Sequence, residues 1–296
     1  MSRPVRFRVV PGEEGMMLGH LVARRLPKTS VEQGQELVRA GAVYMGHLRV
    51  RVPTVRVAAG ERISVYPDAL EAAELPVDIV RIVHRDPDFV VLDKPAGVPV
   101  AATRESARGT LSEALRRLLE AEGVVRPYVG TLHRLDRGAS GLVLFTTRSV
   151  ANKSVHKQFA EHTISRRYRL RVHGEPASSF ECALPLLELH SGSSKVAEGN
   201  PHARAARTRF VRREPAIAIA GTALLEAELD TGRHHQIRVH AAALGHPLLG
   251  DRRYGQDDAG ERLHLHAFEL TLEHPEDGRP IVVRGELPEW ARAIDD

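Results

Sequence analysis

The sequence is poor in the residues that build disulfides, thiolate metal sites and aromatic cores. Its 296 residues include one cysteine, Cys182, and only 4% aromatic residues. A disulfide framework and a cysteine-based zinc site are therefore excluded, and the core has to be built from aliphatic side chains. Lysine is also scarce, since only five of the 42 basic residues are lysines. Arginine, which binds phosphate through a bidentate fork, supplies the rest of the positive charge.

Long apolar segments and common nucleotide-binding motifs are absent as well. The first ten residues, MSRPVRFRVV, are charged and lack the apolar stretch of a signal peptide. The apolar run at residues 216–225 is shorter than the roughly 17–25 residues that a membrane helix needs. We therefore expect a cytoplasmic protein without a membrane partner. Neither GxGxxG nor GxxxxGKT occurs, so the sequence gives no support for dinucleotide or Walker-type nucleotide binding.

The net charge of +4 is distributed unevenly along the chain. Residues 1–66 carry a net charge of +6, residues 67–79 carry −4, residues 80–268 carry +7 and residues 269–296 carry −5. The acidic stretch contains two prolines that flank a polar run, which is typical of a linker. The pattern predicts a small N-terminal domain at 1–66, a linker at 67–79 and a second domain at 80–296.

The N-terminal segment has the pattern of two helices followed by short strands. Apolar residues at helical spacing predict a first helix that ends at Pro27. Ser30 is expected to cap a second helix that runs to about Arg39, with Gly41 just past its end. Short strands are predicted at 42–45, 47–52 and 63–66. The basic residues on or beside the two helices, which fit either a solvated surface or a nucleic-acid contact, are Arg24, Arg25, Lys28 and Arg39.

The second segment mixes both element types. The apolar spacing from Leu111 to Leu119 and a capping box of Thr110 and Glu113 predict a helix at 110–119. Further helices are predicted at 149–161 and 231–244. Because strands dominate without strict alternation with helices, we expect an α+β fold. The predicted strands are 89–93, 141–147, 168–173, 208–212, 222–229 and 263–272.

Three segments concentrate polar chemistry, at residues 92–97, 133–141 and 231–251. In the second of them, Asp136 stands between two arginines and precedes four small residues. Neighbouring guanidinium groups favour the ionised form of a carboxylate, which can then act as a nucleophile or a base. A salt-bridged turn before a strand would have the same pattern, so both interpretations stay open on spacing alone.

Arg233 is a candidate partner of Asp136, and Tyr168 is a candidate for stacking on a base. Arg233 follows Gly232 in the first turn of a predicted helix, from which it is expected to reach Asp136 and hold its charge; an exposed arginine is the alternative. Tyr168 is surrounded in sequence by arginines and is suited to stacking on a base, although a half-buried strand tyrosine is equally compatible with the sequence.

The 16 histidines raise the question of a metal site. The closest group along the chain is His234, His235 and His240. There is no HExxH motif, no cysteine ligand nearby and no carboxylate at a suitable spacing, so we expect no metal.

The segment HRLDRGASG at residues 133–141 resembles the HRLDxxTSG signature of the RluA-type pseudouridine synthases. LDKPAGVPV, RRYRLRVHG and TGRHHQIRVHAAALGHPLLGD are similar to further segments of that family and occur in the same order, so the resemblance covers roughly residues 80–285. It implies a catalytic domain with a mixed, largely antiparallel sheet and flanking helices. It also implies RNA as the partner and the isomerisation of uridine to pseudouridine without a cofactor or a metal.

The resemblance assigns roles to individual residues. Asp136 matches the family's catalytic aspartate, and whether it acts as nucleophile or base stays open. Tyr168 matches the tyrosine that packs on the flipped uracil. Arg233 matches the arginine paired with the aspartate, and Arg134 matches the one that fills the gap left by the flipped base. The other residues expected to contact RNA are His133, Arg137, Arg24, Arg25, Lys28 and Arg39. The departures from the family pattern are Ala139 for threonine, His234 for threonine or serine, and Asp93 for asparagine.

Residues 1–66 resemble an S4 RNA-binding domain, with Ser30-Val31-Glu32-Gln33 where that domain has an arginine-serine run. The combination of an S4-like domain with this catalytic type implies a monomeric enzyme acting on 23S ribosomal RNA, with transfer RNA as the alternative. Two other functions stay open from the residues: a catalytically silent RNA-binding or ribosome-assembly factor, and an N-ribosyl hydrolase that uses the same carboxylate and releases uracil.

Overall fold

The computed structural model describes residues 4–70, 74–102, 108–189, 191–256, 258 and 260–296, apart from the side chains of 69 and 70. Contacts divide the chain into two units: unit 1 is Met1–Ile79 with Ala101–Glu122, and unit 2 is Val80–Val100 with Gly123–Asp296. The division differs from the predicted domains at 101–122, which was expected in the second domain. Long-range contacts explain the difference, because Arg117 pairs with Glu74 at 3.1 Å and Arg108 pairs with Glu36 at 2.7 Å.

Unit 1 is built from a four-stranded antiparallel sheet, two helices that are consecutive in sequence and a third helix that follows residue 101. The sheet order is β1, β4, β2, β3. The first strand was not predicted, because four residues with alternating arginines carry little apolar signal. The elements are β1 (Val5–Arg8), α1 (Leu18–Arg25), α2 (Val31–Ala40), β2 (Val43–Met45), β3 (Leu48–Val50), β4 (Arg62–Val65) and α3 (Leu111–Ala121).

The helices α1 and α2 meet at a glycine contact and have well-defined ends. A Cβ atom on Gly34 would lie 2.5 Å from the carbonyl oxygen of Gly19, so the two backbones touch. Ser30 Oγ accepts a hydrogen bond from Gln33 N at 3.2 Å, and Gln33 Oε1 accepts one from Ser30 N at 2.8 Å. Gly41 ends the helix with φ 81°. The predicted bounds of α2 are thereby confirmed within one residue.

The third helix has only half of its predicted capping box. Glu113 N donates to Thr110 Oγ1 at 3.3 Å. The Glu113 carboxylate accepts instead from Gly109 N at 2.8 Å. The start of α3 is therefore held by side chains at both positions, although the second bond goes to the residue before the cap.

Unit 2 contains a ten-stranded sheet and a separate two-stranded hairpin. The sheet runs β10, β13, β14, β9, β15, β8, β6, β5, with β16 beside β15 and β7 beside β8. Among its described strands, β8 and β15 form the one parallel pair. The predicted mixed, largely antiparallel sheet is confirmed. The elements are β5 (Arg81–Arg85), β6 (Phe89–Lys94), β7 (Gly130–Thr131), β8 (Ser140–Thr146), α4 (Ser149–Ala160), β9 (Ser165–His173), β10 (Ser179–Cys182), β11 (Leu186–Glu188), β12 (Ser194–Val196), β13 (Thr208–Arg213), β14 (Thr222–Leu229), α5 (Gln236–Ala243), β15 (Leu265–Glu273) and β16 (Pro280–Arg284).

Two small residues, Gly141 and Ala267, pair in the middle of this sheet. Gly141 in β8 is paired with Ala267 in β15, and Ala267 is also paired with Tyr168 in β9. Gly141 has φ 104°, and a Cβ atom there would lie 2.1 Å from the carbonyl oxygen of Ala267. Only glycine fits this close approach, so Gly141 fixes where β8 begins and thereby where the preceding loop lies.

Apolar side chains on β6, β8, β15 and β16 pack with α4 to form the core on one side of the sheet. The cluster includes Phe89, Leu144, Val155, Leu270 and Val283, all of which are buried. No helix in the described parts of either unit has the length and apolar character to cross a bilayer.

Candidate active site

Asp136 lies in the loop that leads into β8. Its side chain is 18% exposed, and its Oδ2 accepts a hydrogen bond from Arg238 Nη1 at 2.8 Å. Ala139 N donates to the Asp136 carbonyl at 3.1 Å, which closes a turn. The salt-bridged turn that the sequence offered as one alternative is therefore present, and the reactive role of the carboxylate stays a prediction.

Arg238 holds this carboxylate and is itself fixed in position. It lies in the first turn of α5, and its Nε and Nη2 each donate to one oxygen of Asp251 at 2.7 Å. Burial disfavours the charged guanidinium, but the pairs with Asp251 and Asp136 outweigh burial and raise the pKa of Arg238 above its ordinary value. Arg238 therefore stays charged, and a bidentate pair fixes its orientation toward Asp136.

The expected pairing of Arg233 with Asp136 is wrong. Arg233 Nε donates to the Ala205 carbonyl at 3.0 Å, and within the described residues no ion pair joins Arg233 to Asp136. The reason is the start of α5, which begins at Gln236 and not at the predicted residue 231. The arginine of the first helical turn is then Arg238, five residues later in the same motif.

The loop between Thr231 and α5 is held by the buried side chain of Gln236. Its Oε1 accepts from Thr231 Oγ1 at 2.7 Å and from Arg233 N at 3.0 Å. Its Nε2 donates to the Arg207 carbonyl at 2.9 Å and to Thr208 Oγ1 at 3.0 Å. These four bonds satisfy the buried amide completely and keep residues 231–235 out of the helix.

Tyr168 is buried at the floor of the same site. Burial raises the pKa of its phenol, the Asp136 carboxylate raises it further and Arg166 opposes the change. The phenol is therefore neutral at neutral pH. Tyr168 is thus close enough to Asp136 for the charge of the carboxylate to act on its phenol, and its stacking on a base stays a prediction.

The segment at residues 92–97 is joined to the Asp136 loop by a buried lysine that the sequence did not single out. Lys94 Nζ donates to the carbonyl oxygens of Pro95 at 3.0 Å, Val98 at 2.8 Å and Arg137 at 3.2 Å. Burial lowers the pKa of Lys94 to about 8, although the nearby Asp136 favours the charged form. Gly97 N adds a bond to the Arg137 carbonyl at 2.7 Å. Lys94 therefore fixes the turn that carries Asp136.

The three residues beside Asp136 that were expected to contact RNA differ in their surroundings. Arg134 is exposed. Arg137 is exposed too, but its Nε donates to the Gly97 carbonyl at 2.9 Å. His133 Nε2 accepts from Leu144 N at 2.9 Å, and its ring stacks on Phe159. Burial of the ring lowers the pKa of His133 to about 3, so the ring is neutral at neutral pH, and its contact with RNA stays a prediction.

In unit 1, two of the four residues expected to contact RNA have an acidic partner, since Arg39 Nη1 lies 3.8 Å from Glu36 Oε2. Arg25 pairs with the buried Glu13 at 2.7 Å and lies over the ring of Phe7 at 5.3 Å. The three that remain exposed are Arg24, Lys28 and Arg39.

The histidines that suggested a metal site have hydrogen-bond partners instead. His240, for example, is buried and bonds Thr208 Oγ1 and the Leu184 carbonyl, both at 2.9 Å. A different group, Asp86, Asp88 and His274, has its potential ligand atoms within 4.8 Å of one another. Arg148 pairs with Asp88 at 2.9 Å, so part of its negative charge is already compensated.

This geometry can be set beside known proteins. Residues 88–243 match the sequence pattern of the family described as RNA pseudouridylate synthase. They include Lys94, Asp136, Tyr168 and Arg238. The chain belongs to this family. The RluA-type family predicted from the motifs is confirmed, and with it the enzyme class: the protein is an RNA pseudouridine synthase, which is an isomerase.

Individual relatives agree with the family. An uncharacterized RNA pseudouridine synthase of Aquifex aeolicus is 30% identical over 99% of this chain and 96% of that protein. Ribosomal large subunit pseudouridine synthase D of Zymomonas mobilis is 32% identical over 93% of this chain and 91% of that protein. The solved structure of human RNA pseudouridylate synthase domain containing 1 matches 73% of this chain and 87% of its own, with a TM-score of 0.60 and 25% identity. The S4-like character of residues 1–66 stays a prediction.

Proposed function

We propose that this synthase converts uridines of 23S ribosomal RNA to pseudouridine and that Asp136 is its reacting carboxylate. In the reaction the N1–C1′ bond breaks and a C5–C1′ bond forms, while a proton leaves C5 and N1 gains one. Atoms and electrons balance within the substrate itself. The observation that carries the proposal is the half-buried carboxylate of Asp136, held through one oxygen by Arg238.

The pairing with Arg238 suits either role of the aspartate. One oxygen is occupied by the guanidinium, and the other keeps a lone pair for the sugar, whether it attacks C1′ or removes a 2′ proton. Because Arg238 is itself fixed by the buried Asp251, the carboxylate is positioned before RNA arrives. Preorganisation of this kind lowers the barrier without reorganisation during the reaction.

The target base has to leave its stack before the glycosidic bond becomes accessible. The buried ring of Tyr168 provides an apolar surface on which the flipped uracil can pack. Arg134, two residues before Asp136, is exposed. Its side chain is therefore suited to fill the space that the flipped base leaves in the RNA.

Two observations support ribosomal RNA as the substrate. The relative from Zymomonas mobilis bears the name of a ribosomal large subunit synthase. The N-terminal 66 residues carry a net charge of +6 and keep three basic side chains exposed on or beside the helices, which favours a phosphate backbone.

The test compares the wild type with Asp136→Asn on transcribed 23S ribosomal RNA and on transfer RNA. We expect pseudouridine in the ribosomal RNA and a loss of at least ~10³-fold in Asp136→Asn, because the group that performs the chemistry is removed. RNA binding should persist. Asp277→Asn, an exposed aspartate between β15 and β16, is the matched control.

Each other outcome contradicts a definite part of the proposal. Wild-type turnover in Asp136→Asn would overturn the role of Asp136. Product in transfer RNA alone would overturn the substrate. Binding without any product would indicate a silent RNA-binding factor, and free uracil would indicate a hydrolase.

A further inference from the structure

His235 faces the side of Asp136 that Arg238 leaves open. Its Nε2 lies 3.7 Å from Asp136 Oδ1, whereas Arg238 contacts Oδ2. The His235 side chain is 10% exposed. Neither the charge pattern nor the metal interpretation of the sequence pointed to a contact between this histidine and the aspartate.

The hydrogen bonds behind the ring determine which nitrogen carries the proton. Ser194 N donates to Tyr254 Oη at 2.8 Å, and Tyr254 Oη lies 2.7 Å from His235 Nδ1. Among the described residues, Nδ1 is the acceptor that lies within reach of the phenol proton, since Ser194 N is itself a donor, so Tyr254 donates to Nδ1. A neutral imidazole that accepts at Nδ1 carries its hydrogen on Nε2. An N–H group therefore points at the free oxygen of Asp136.

Both partners are neutral around pH 7. Burial lowers the pKa of His235 to about 4, with Asp136 opposing and Arg238 reinforcing the change. Burial also raises the pKa of the Tyr254 phenol. The titratable and charged groups that face the ring of His235 are Asp136, Arg238, His234, Arg253 and Tyr254.

The ring is held in place by an unusual backbone and by a shared carboxylate. His235 has φ 57°, in the left-handed region that a residue with a side chain adopts only under constraint. Its neighbour Gln236 supplies that constraint through four hydrogen bonds. Tyr254 is anchored by Asp251, whose Oδ1 accepts from Tyr254 N at 3.2 Å. The same buried Asp251 thus sets both Arg238 and the partner of His235.

We propose that His235 is a positioning residue for pseudouridine formation, whose Nε2–H steadies Asp136 Oδ1 while Arg238 holds Oδ2. The two contacts together fix the plane of the carboxylate, and Tyr254 fixes the tautomer that makes the second contact attractive. The distance of 3.7 Å exceeds a hydrogen bond, and we expect it to shorten when RNA fills the site. This inference rests on the proposed role of Asp136.

The first test is Tyr254→Phe, which keeps the ring but removes the hydroxyl. The freed Nδ1 can then carry the proton, and a lone pair on Nε2 would face the carboxylate. We expect kcat at pH 8 to fall roughly 10-fold with little change in KM, because misplacing a reacting group by about 1 Å costs up to ~10²-fold.

The pH profile separates positioning from a general loss of structure. A protonated imidazole has a hydrogen on both nitrogens, so the activity of Tyr254→Phe relative to that of the wild type at the same pH should rise as the pH falls toward the pKa of His235, about 4. His235→Gln in the same background should abolish this rise. Tyr128→Phe, which alters a more exposed tyrosine of the same unit, is the matched control. A relative activity of Tyr254→Phe that stays flat with pH would overturn the role of the tautomer.

The second test does not depend on activity. Nitrogen NMR of the histidine rings, assigned by comparison with His235→Gln and with the exposed His156→Gln, reports which nitrogen is protonated. We expect a neutral Nε2–H form for His235 at pH 7 and a mixture of forms in Tyr254→Phe. A charged ring or an Nδ1–H form in the wild type would overturn the inference.

The two proposals fail in different ways. If Asp136→Asn keeps its activity, the proposed function of Asp136 is wrong whatever His235 does. If Asp136→Asn is inactive but His235→Gln matches the wild type in kcat, only the role of His235 is wrong.

Discussion

Two arginine–carboxylate pairs, one in each unit, have opposite exposure. In unit 1 the carboxylate of Glu13 is buried at 4% exposure, while Arg25 is 32% exposed. In unit 2 the order is reversed, because Arg238 is 10% exposed and Asp136 is 18% exposed. The more exposed member of the pair is therefore the cation in unit 1 and the anion in unit 2.

The second partners of the buried groups account for this difference. Glu13 also accepts from Val10 N at 3.1 Å, so its two partners lie in the same turn and in the following helix α1, and its bonds stabilise the fold. Arg238 uses two of its donors on Asp251, and a third donor holds Asp136. Glu13 is thus a buried acid with nearby partners, and its role is structural. Arg238 is a buried arginine that also binds Asp251, and it contacts Asp136 on one side, which leaves the other side of that carboxylate available.

The largest expected effect comes from breaking the pair in unit 2. Arg238→Gln leaves Asp251 buried without a charged partner, and removing one member of a buried pair costs roughly 3–5 kcal/mol. We expect at least a ~10²-fold loss of single-turnover rate and a lower melting temperature, measured by calorimetry. The matched control is Arg233→Gln, which should lose far less of both. Equal losses in the two variants would restore Arg233 as the partner of Asp136.

A smaller effect is expected from the pair in unit 1. The hydrogen bond from Arg25 lowers the pKa of Glu13 below its ordinary value. Its contribution to stability is therefore present above the pKa of the unfolded chain, about 4.5, and is lost as the pH falls through the lower folded pKa. Glu13→Gln should lower the melting temperature at pH 7 by roughly 2–4 °C.

The pH dependence sharpens this expectation. At a pH below the folded pKa, wild type and Glu13→Gln should melt at nearly the same temperature, since the wild-type carboxyl is then neutral as well. The catalytic rate at pH 7 should change little. A difference in melting temperature that stays the same from pH 7 to the lowest pH at which the protein folds would show that the charge of Glu13 contributes nothing.

The smallest effect concerns the exposed charges of unit 1. Replacing Arg24, Lys28 and Arg39 by glutamine should weaken RNA binding and flatten its salt dependence, by a slope of about 0.7–0.9 for each phosphate that is no longer neutralised. Arg25→Gln should change the slope less, because its charge is already balanced. Titrations at several salt concentrations measure this, and an unchanged slope in the triple variant would exclude unit 1 from phosphate binding.

The local sequence determined much of this protein. The motif around Asp136, the tyrosine of β9 and the order of the segments were by themselves sufficient to indicate the family. The ends of α2 followed from Ser30, Gln33 and Gly41, because caps and helical periodicity depend on residues only a few positions apart.

Tertiary contacts decided the rest. The choice of Arg238 over Arg233 depends on where α5 begins, and Gln236 sets that point through bonds to Arg207 and Thr208, which lie 29 and 28 residues away. Asp136 and Arg238 are themselves 102 residues apart. The stacking of His133 on Phe159, the assignment of 101–122 to unit 1 and the orientation of His235 have the same origin. Each depends on a partner that is distant in sequence, and the spacing of residues within one segment does not indicate such a partner.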